Sequence, residues 1–375
     1  MFIKQEDFIS IYDKGKSNTF DEFISTYKVR IRNRIVTLNE YMKTKKFTHD
    51  DLKLLHTHIN ERKDYLERFY NTSLKIKNYI IDREPMTNNN MNNNILVNYK
   101  NVIRNLHYDN ILKNTTSGIE NNPTFMTVLE DLYINGIIDY KILTPSAIHY
   151  IKKGRIGSVF SSYYFRASIM NPYLVYSLNK SVLKGTRIFT PTLGWTSYAY
   201  GFLECPEVIE YVGTDVIGDV CTRTRKFVKK EYPHKLVKIF QSPSEKLLTR
   251  KKFKDMYREH FDLVFFSPPY YKLELYPGDK QSTTQYKTYS EWLQKYWEKT
   301  IILCHHVLQP NAKMCYILSG YGSKSKGESY DLLGDMNKIT QKYFKLVEIQ
   351  PLYNKNIHVT THRETAEKIM IFTKI

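Results

Sequence analysis

From about residue 155 onward, short apolar runs alternate with stretches of helical texture, and this alternation limits the fold more than any other feature of the chain. The runs are GTRIFTPTLGW (185–195), VIEYVGTDV (208–216), LVKIFQSPSE (236–245), FDLVFFSPP (261–269), AKMCYILSG (312–320) and EKIMIFT (367–373). Runs this short and this apolar read as buried strands, and the helices between them return the chain so that successive strands lie mainly parallel. The expected architecture is an α/β domain over about 155–375. Ligands in such sheets bind beyond the carboxyl ends of the strands. The residues that close each run are therefore the first candidates for a site.

The preceding sequence has a different texture. In FDEFISTYKVRIRNRIVTLNEYM, residues Phe20, Phe23, Ile24, Tyr27, Ile31 and Ile35 recur near a 3.6-residue period, so 20–83 is expected to be helical, with Thr48 capping a second helix that runs to about Asn78. MTNNNMNNN (86–94) is polar and of low complexity, and reads as a linker or mobile loop. Residues 95–154 read as mostly helical, with a helix start at Thr144-Pro145. The expected organisation is a helical N-terminal region (1–85), an Asn-rich linker or loop (86–94), a mostly helical connection (95–154) and the α/β domain.

Charge narrows the partners. Lys and Arg number 56 against 38 Asp and Glu, a net charge of +18, and a field of that sign draws polyanions. A lysine-rich coding bias would give the same balance without a partner. Two basic segments are candidates for tracking phosphates: KVRIRNR, with Lys28, Arg30, Arg32 and Arg34, and the interval 222–258, with 13 Lys/Arg against three acids. The 31 tyrosines offer ring faces for bases. The four cysteines show no CxxC pair or zinc spacing, so no metal site or disulfide framework is expected. No secretory leader and no membrane span is evident. A cytoplasmic protein is expected, or one at a nuclear or viral replication site in an infected host.

Four strand ends carry chemistry-bearing residues. FTPTLGW (189–195) closes the first with Gly194, which permits close backbone approach. GTD (213–215) closes the second with Asp215, placed to accept from both hydroxyls of a ribose. SPSE (242–245) closes the third with Ser244 and Glu245, a pair that would equally cap a helix. FFSPPYY (265–271) closes the fourth. Two prolines fix φ and cannot donate to a ladder, so Ser267-Pro268-Pro269-Tyr270 is either a strand stop or a rigid ledge. As a ledge, the Ser267 hydroxyl and the Pro268 carbonyl give two acceptors for an amine, while Tyr270 offers a face to a flipped base.

In this order the segments resemble those of the S-adenosylmethionine-dependent amino-group DNA methyltransferases, which methylate adenine N6 or cytosine N4. The match is to the Ser-Pro-Pro-Tyr type, similar to relatives in large DNA viruses or phages. The resemblance implies a Rossmann-like methyltransferase sheet, mainly parallel with an antiparallel final strand. It implies S-adenosylmethionine as cofactor, held by Thr190, Pro191, Gly194, Trp195, Asp215, Ser244 and Glu245. FRASIMNPYLVYSLN (165–179) looks like the family's preceding helix, which adds Phe165, Asn171 and Pro172. Ser267 leans the target towards cytosine N4. The family usually has a second glycine after Gly194, where this chain has Thr196 and Ser197. An RNA adenine methyltransferase, a protein-glutamine methyltransferase or a degenerate nucleic-acid-binding subunit would share these motifs.

The interval from Gly194 to Ser267 is too short for an inserted recognition domain, and the chain ends soon after the last expected strand. Base selection is expected from the N-terminal region, from the loop 272–290, or from a homodimer or partner subunit. That loop carries Tyr276 and Tyr286, which with Tyr271 are candidate base contacts. DNA is the expected partner, with RNA possible. His362, Arg363 and Glu364 are candidates for bracing the rim. His305-His306 reads as structural.

Overall fold

The computed structural model describes residues 1–15, 18–45, 47–319, 330–352 and 367–375. The candidates His362, Arg363 and Glu364 lie outside them. The chain divides into two compact units. One comprises Phe2–Lys75 and Tyr108–Ala167, the other Met1, Ile76–His107 and Ser168–Ile375. The division does not follow the chain as the sequence suggests: 76–107 groups with the sheet, and 155–167 with the N-terminal material. The Asn-rich stretch is packed rather than free, with Met86, Met91 and Asn92 buried.

In the first unit, short helices surround an aromatic core of Phe8, Tyr12, Phe23, Phe125 and Phe160. Thr48 caps its helix as expected, in a reciprocal box with Asp51, and Thr144 caps the helix begun by Pro145. The expected helix over 28–37 is instead a hairpin, Lys28–Ile31 against Arg34–Thr37, with Ile137–Asp139 added in parallel. The β-branched Val29, Ile31, Ile35 and Val36 suit a pleat better than a helix. Arg32 turns the corner in the left-handed region, and Thr37 then caps the next helix with Glu40.

Among the described residues of the second unit, seven strands form one sheet: β1 (Arg187–Thr190), β2 (Glu210–Asp215), β3 (Leu236–Gln241), β4 (Phe261–Phe266), β5 (Leu308–Ser319), β6 (Phe344–Pro351) and β7 (Glu367–Lys374). Their order is β6-β7-β5-β4-β1-β2-β3. The strands from β5 to β3 pair in parallel, and β7 runs antiparallel to both β5 and β6. This is the mainly parallel, Rossmann-like sheet with an antiparallel final strand that the sequence implies. The expected strands are present, the first four with trimmed ends, β5 starting earlier at Leu308 and β7 running on to Lys374, and β6 is additional. β6 escaped notice because it is an edge strand whose Val347 and Ile349 stay exposed.

Helices α1 (Pro172–Leu178), α2 (Ser197–Leu203), α3 (Gly218–Glu231), α4 (Lys251–Met256), α5 (Lys299–Val307) and α6 (Leu332–Thr340) flank the strands. None of the described helices is long and apolar enough to cross a membrane. His305 and His306 lie in α5.

The chain winds outward from β1 to β3, then returns across β1 to β4. Strand order therefore reverses between β1 and β4, the place where a crevice opens above a parallel sheet. One carboxylate holds those two strands together at the opposite end. Asp262 accepts from the Thr186 amide (3.0 Å), the Arg187 amide (3.0 Å) and the Thr186 hydroxyl (2.5 Å). We expect Asp262→Ala to strand these donors and cost about 3 kcal/mol, read as a lowered urea midpoint at unchanged slope.

Candidate active site

The ends of β1 to β4 converge on a cavity of about 200 Å³ within the second unit. Pro191, Gly194 and Trp195 reach it from β1, Asp215 from β2, Ser244 and Glu245 from β3, and Ser267, Pro268, Pro269 and Tyr270 from β4. The loop after the ledge adds Glu274, Tyr276 and Lys280.

The ledge is fixed by β5. β4 stops pairing at Phe266, opposite Tyr316, while β5 continues to Ser319. Beyond that point Pro268 and Pro269 have no amide to donate. Side chains take over: the Ser267 hydroxyl donates to the Ile317 carbonyl (3.1 Å), and the Tyr270 hydroxyl accepts from the Ser319 amide (2.8 Å). A serine whose proton is committed in this way presents only lone pairs to anything else. Burial holds the Tyr270 phenol far above its ordinary pKa, so it stays neutral.

Gly194 has a different role from the one its place suggests. Its φ is +52°, and a Cβ there would lie 2.3 Å from the Tyr198 ring. The space is filled by protein rather than left for a ligand. The Tyr198 hydroxyl accepts from the Ser267 amide at 3.0 Å, so the glycine turn and the ledge meet through this ring. The turn stays left-handed at Trp195 (φ +58°) and Thr196 (φ +75°), where a β-branched residue is strained. The conformation that further glycines would favour is kept without them. Buried bonds hold it: Thr196 Oγ1 lies 2.8 Å from His107 Nε2 and 2.6 Å from Thr224 Oγ1. Burial, and then Arg223, push His107 down to about 3, so this imidazole is neutral.

Asp215 ties the turn to β2. Its carboxylate accepts from the amides of Leu193 (3.2 Å) and Ile217 (3.1 Å). Burial raises its pKa, against the backbone amides that lower it. Glu245 is likewise raised by burial and accepts from the Tyr286 hydroxyl at 3.3 Å. The Ser244 hydroxyl lies 3.1 Å from that of Thr300. Tyr276 packs near Trp195, with ring centroids 5.9 Å apart, and donates to Glu274 (2.7 Å). Glu274 also accepts from the Ser168 amide (2.9 Å).

Other candidates lie off the cavity. Thr190 is buried against the Tyr211 hydroxyl at 2.6 Å. Asn171 caps α1, accepting from the Tyr173 amide and donating to Ile95, and Pro172 is the buried first residue of that helix. The cavity is lined instead by Ser168, Ile169 and Met170, just before them. Phe165 belongs to the first unit, where its backbone pairs with Phe125 and Pro123. Tyr271 is not a free stacking face. It is buried against Tyr289, Trp292 and Tyr330, and its hydroxyl donates to the Lys287 carbonyl. Lys28, Arg32 and Arg34 are exposed on the hairpin of the first unit, while Arg30 is paired with Asp131. Sequence reasoning missed Tyr198, Glu274, Tyr296 and Glu367, all of which line the cavity.

No protein-family model matches the chain, and no curated protein matches it. Solved structures do show similarity. The N-methyltransferase NodS from Bradyrhizobium japonicum WM9, in complex with S-adenosyl-L-homocysteine, is 12% identical over 54% of this chain and 83% of its own, with a TM-score of 0.36. TrmN from Thermus thermophilus is 12% identical over 55% of this chain and 49% of its own, with a TM-score of 0.37. The putative methylase HI0767 from Haemophilus influenzae is 11% identical over 57% of this chain and 94% of its own, with a TM-score of 0.31. Scores this low carry no chemistry, which has to be read from this chain's own residues.

Gly194→Ala tests the junction of turn and ledge. The left-handed φ alone costs about 1–3 kcal/mol, and the new methyl must displace Tyr198. We expect a lower melting temperature and a weakened grip on any ligand of the cavity, measured by thermal unfolding and calorimetric titration with S-adenosylmethionine.

Proposed function

We propose that this chain transfers a methyl group from S-adenosylmethionine to an exocyclic amino group of a DNA base, with cytosine N4 favoured over adenine N6. The observation that carries the reading is the meeting, in one cavity at the switch point, of the Gly194 turn, Asp215 and the Ser267-Pro268-Pro269-Tyr270 ledge.

The lining suits the cofactor. Asp215, Glu245, Glu274 and Glu367 face the cavity alongside Lys280, a concentration of acids within a chain of net charge +18. Such a lining favours a cationic ligand over a phosphorylated one. Bound S-adenosylmethionine supplies an electrophilic methyl group on a sulfonium. Asp215 would accept from its ribose hydroxyls, with Trp195 and Glu245 flanking the nucleoside. At the ledge, the Ser267 lone pairs and the Pro268 carbonyl would orient the amine as positive charge develops on nitrogen. Tyr270 would stack on the base, and the loop carrying Tyr276 would enclose it.

A nucleic-acid substrate is favoured by cations that follow the cavity wall in sequence. Lys246, Arg250, Lys251, Lys252, Lys254 and Arg258 are all exposed and begin one residue after Glu245. They would pair with phosphates and make binding steeply salt-dependent. Selection of the base is assigned to the first unit, with its exposed Lys28, Arg32 and Arg34, or to a second copy or partner subunit.

Mass spectrometry of nucleosides from DNA and RNA incubated with protein and labelled cofactor tests the reading. N4-methylcytosine in DNA is expected. N6-methyladenine would move the base, methylation in RNA alone would move the polymer, and no methylated nucleoside in either would overturn the reading. Ser267→Ala should lower turnover by about 10²-fold while calorimetric cofactor affinity survives. Asp215→Ala should do the reverse, weakening cofactor binding by about 1.5–3 kcal/mol.

A further inference from the structure

Methylation of an amine leaves a proton to be removed, and Ser267 cannot keep it. Of the carboxylates that line the cavity among the described residues, three are engaged elsewhere. Asp215 is held by the amides of Leu193 and Ile217 at the end of β2. Glu245 is held by the Tyr286 hydroxyl. Glu274 has one oxygen on the Ser168 amide and the other on the Tyr276 hydroxyl. The fourth, Glu367, opens the antiparallel strand β7 and stands in register with Ser319 of β5. Ser319 is the residue whose amide holds the Tyr270 hydroxyl, two positions from the carbonyl that holds Ser267. Glu367 lines the cavity together with both ledge residues, Ser267 and Tyr270.

We propose that Glu367 is the proton acceptor of the ledge, a carboxylate delivered by the antiparallel strand rather than by the Ser-Pro-Pro-Tyr segment itself. The inference rests on the methyl-transfer reading. As the N–C bond forms and the C–S bond breaks, its electron pair staying on sulfur, the amine nitrogen becomes cationic. One N–H proton then passes to a Glu367 carboxylate oxygen, and from there to water.

Burial raises the Glu367 pKa, and Glu274 raises it further, while Lys100 and the Tyr270 hydroxyl lower it. Tyr198, also nearby, is neutral. Lys100 is itself pushed down to about 8 by burial. Glu367 must be ionised to accept, so turnover should rise with pH through its raised pKa. The ligand-free protein should behave oppositely: stability linked to a raised carboxylate pKa is present below the unfolded value and is lost as pH rises through the folded one.

The test compares wild type, Glu367→Gln and Glu367→Asp, with tritiated S-adenosylmethionine and oligonucleotides containing cytosine and adenine. Glu367→Gln should lose at least about 10²-fold in kcat, lose the acidic limb of the pH–rate profile, and lose far less in calorimetric affinity for S-adenosylmethionine than in kcat. Its melting temperature should lose the wild-type decline across that pH range, a readout that needs no turnover. Glu367→Asp should restore part of the rate and the limb. An active wild type with a Glu367→Gln variant of similar kcat and an unchanged profile overturns the role of Glu367 alone. A wild type that binds S-adenosylmethionine but methylates no oligonucleotide overturns the methyl-transfer reading, and this inference with it.

Discussion

The site depends on the point where β4 stops pairing with β5. A central strand buried on both faces cannot simply end, because its neighbour's backbone groups would be left without partners. Here two prolines enforce the stop, and the residues on either side of them supply what the ladder lacks. Ser267 satisfies the Ile317 carbonyl, and Tyr270 satisfies the Ser319 amide. The contacts that complete the sheet are thus the contacts that aim the ledge. The same segment answers a structural need and sets the direction of a hydroxyl and a ring.

A second coupling runs from the ledge to the turn after β1. Tyr198 lies over Gly194 and reaches the Ser267 amide, while Asp215 holds Leu193 from the next strand. Three strand ends are therefore linked before any ligand arrives, which is how preorganisation lowers the cost of binding. The strained Trp195 and Thr196 persist because buried partners fix them on the far side, His107 and Thr224 among them.

The sheet was legible because buried parallel strands are short apolar runs, and the motif order along the chain is the order of strand ends around the switch point. Edges and turns were less legible. β6 alternates weakly and leaves Val347 and Ile349 exposed, so it lacks the signature of its neighbours. In 28–37, Ile31 and Ile35 happen to recur at helical spacing, while the density of β-branched residues, the left-handed Arg32 and the capping Thr37 separate hairpin from helix. Within the site, position at a strand end was readable but side-chain direction was not. Thr190, Asn171 and Tyr271 sit in the expected segments and turn to Tyr211, Ile95 and Lys287 instead. Glu367 gave no signal because its nearness to Ser267 runs across two strands rather than along the chain.

The segregation of charge in this unit has a bearing on competitors. A cell holds adenosine triphosphate in abundance, and its nucleoside half is the same as that of S-adenosylmethionine. A pocket recognising only the adenosine portion would be occupied by the wrong molecule. The four described carboxylates around the cavity would repel a triphosphate tail and attract the sulfonium and ammonium of the proposed cofactor. The cations from Lys246 to Arg258 are exposed and follow the cavity wall in sequence, where the proposed polymer's phosphates would meet them. If the chain methylates nucleic acid as proposed, polymer and cofactor would be sorted by sign before shape is consulted.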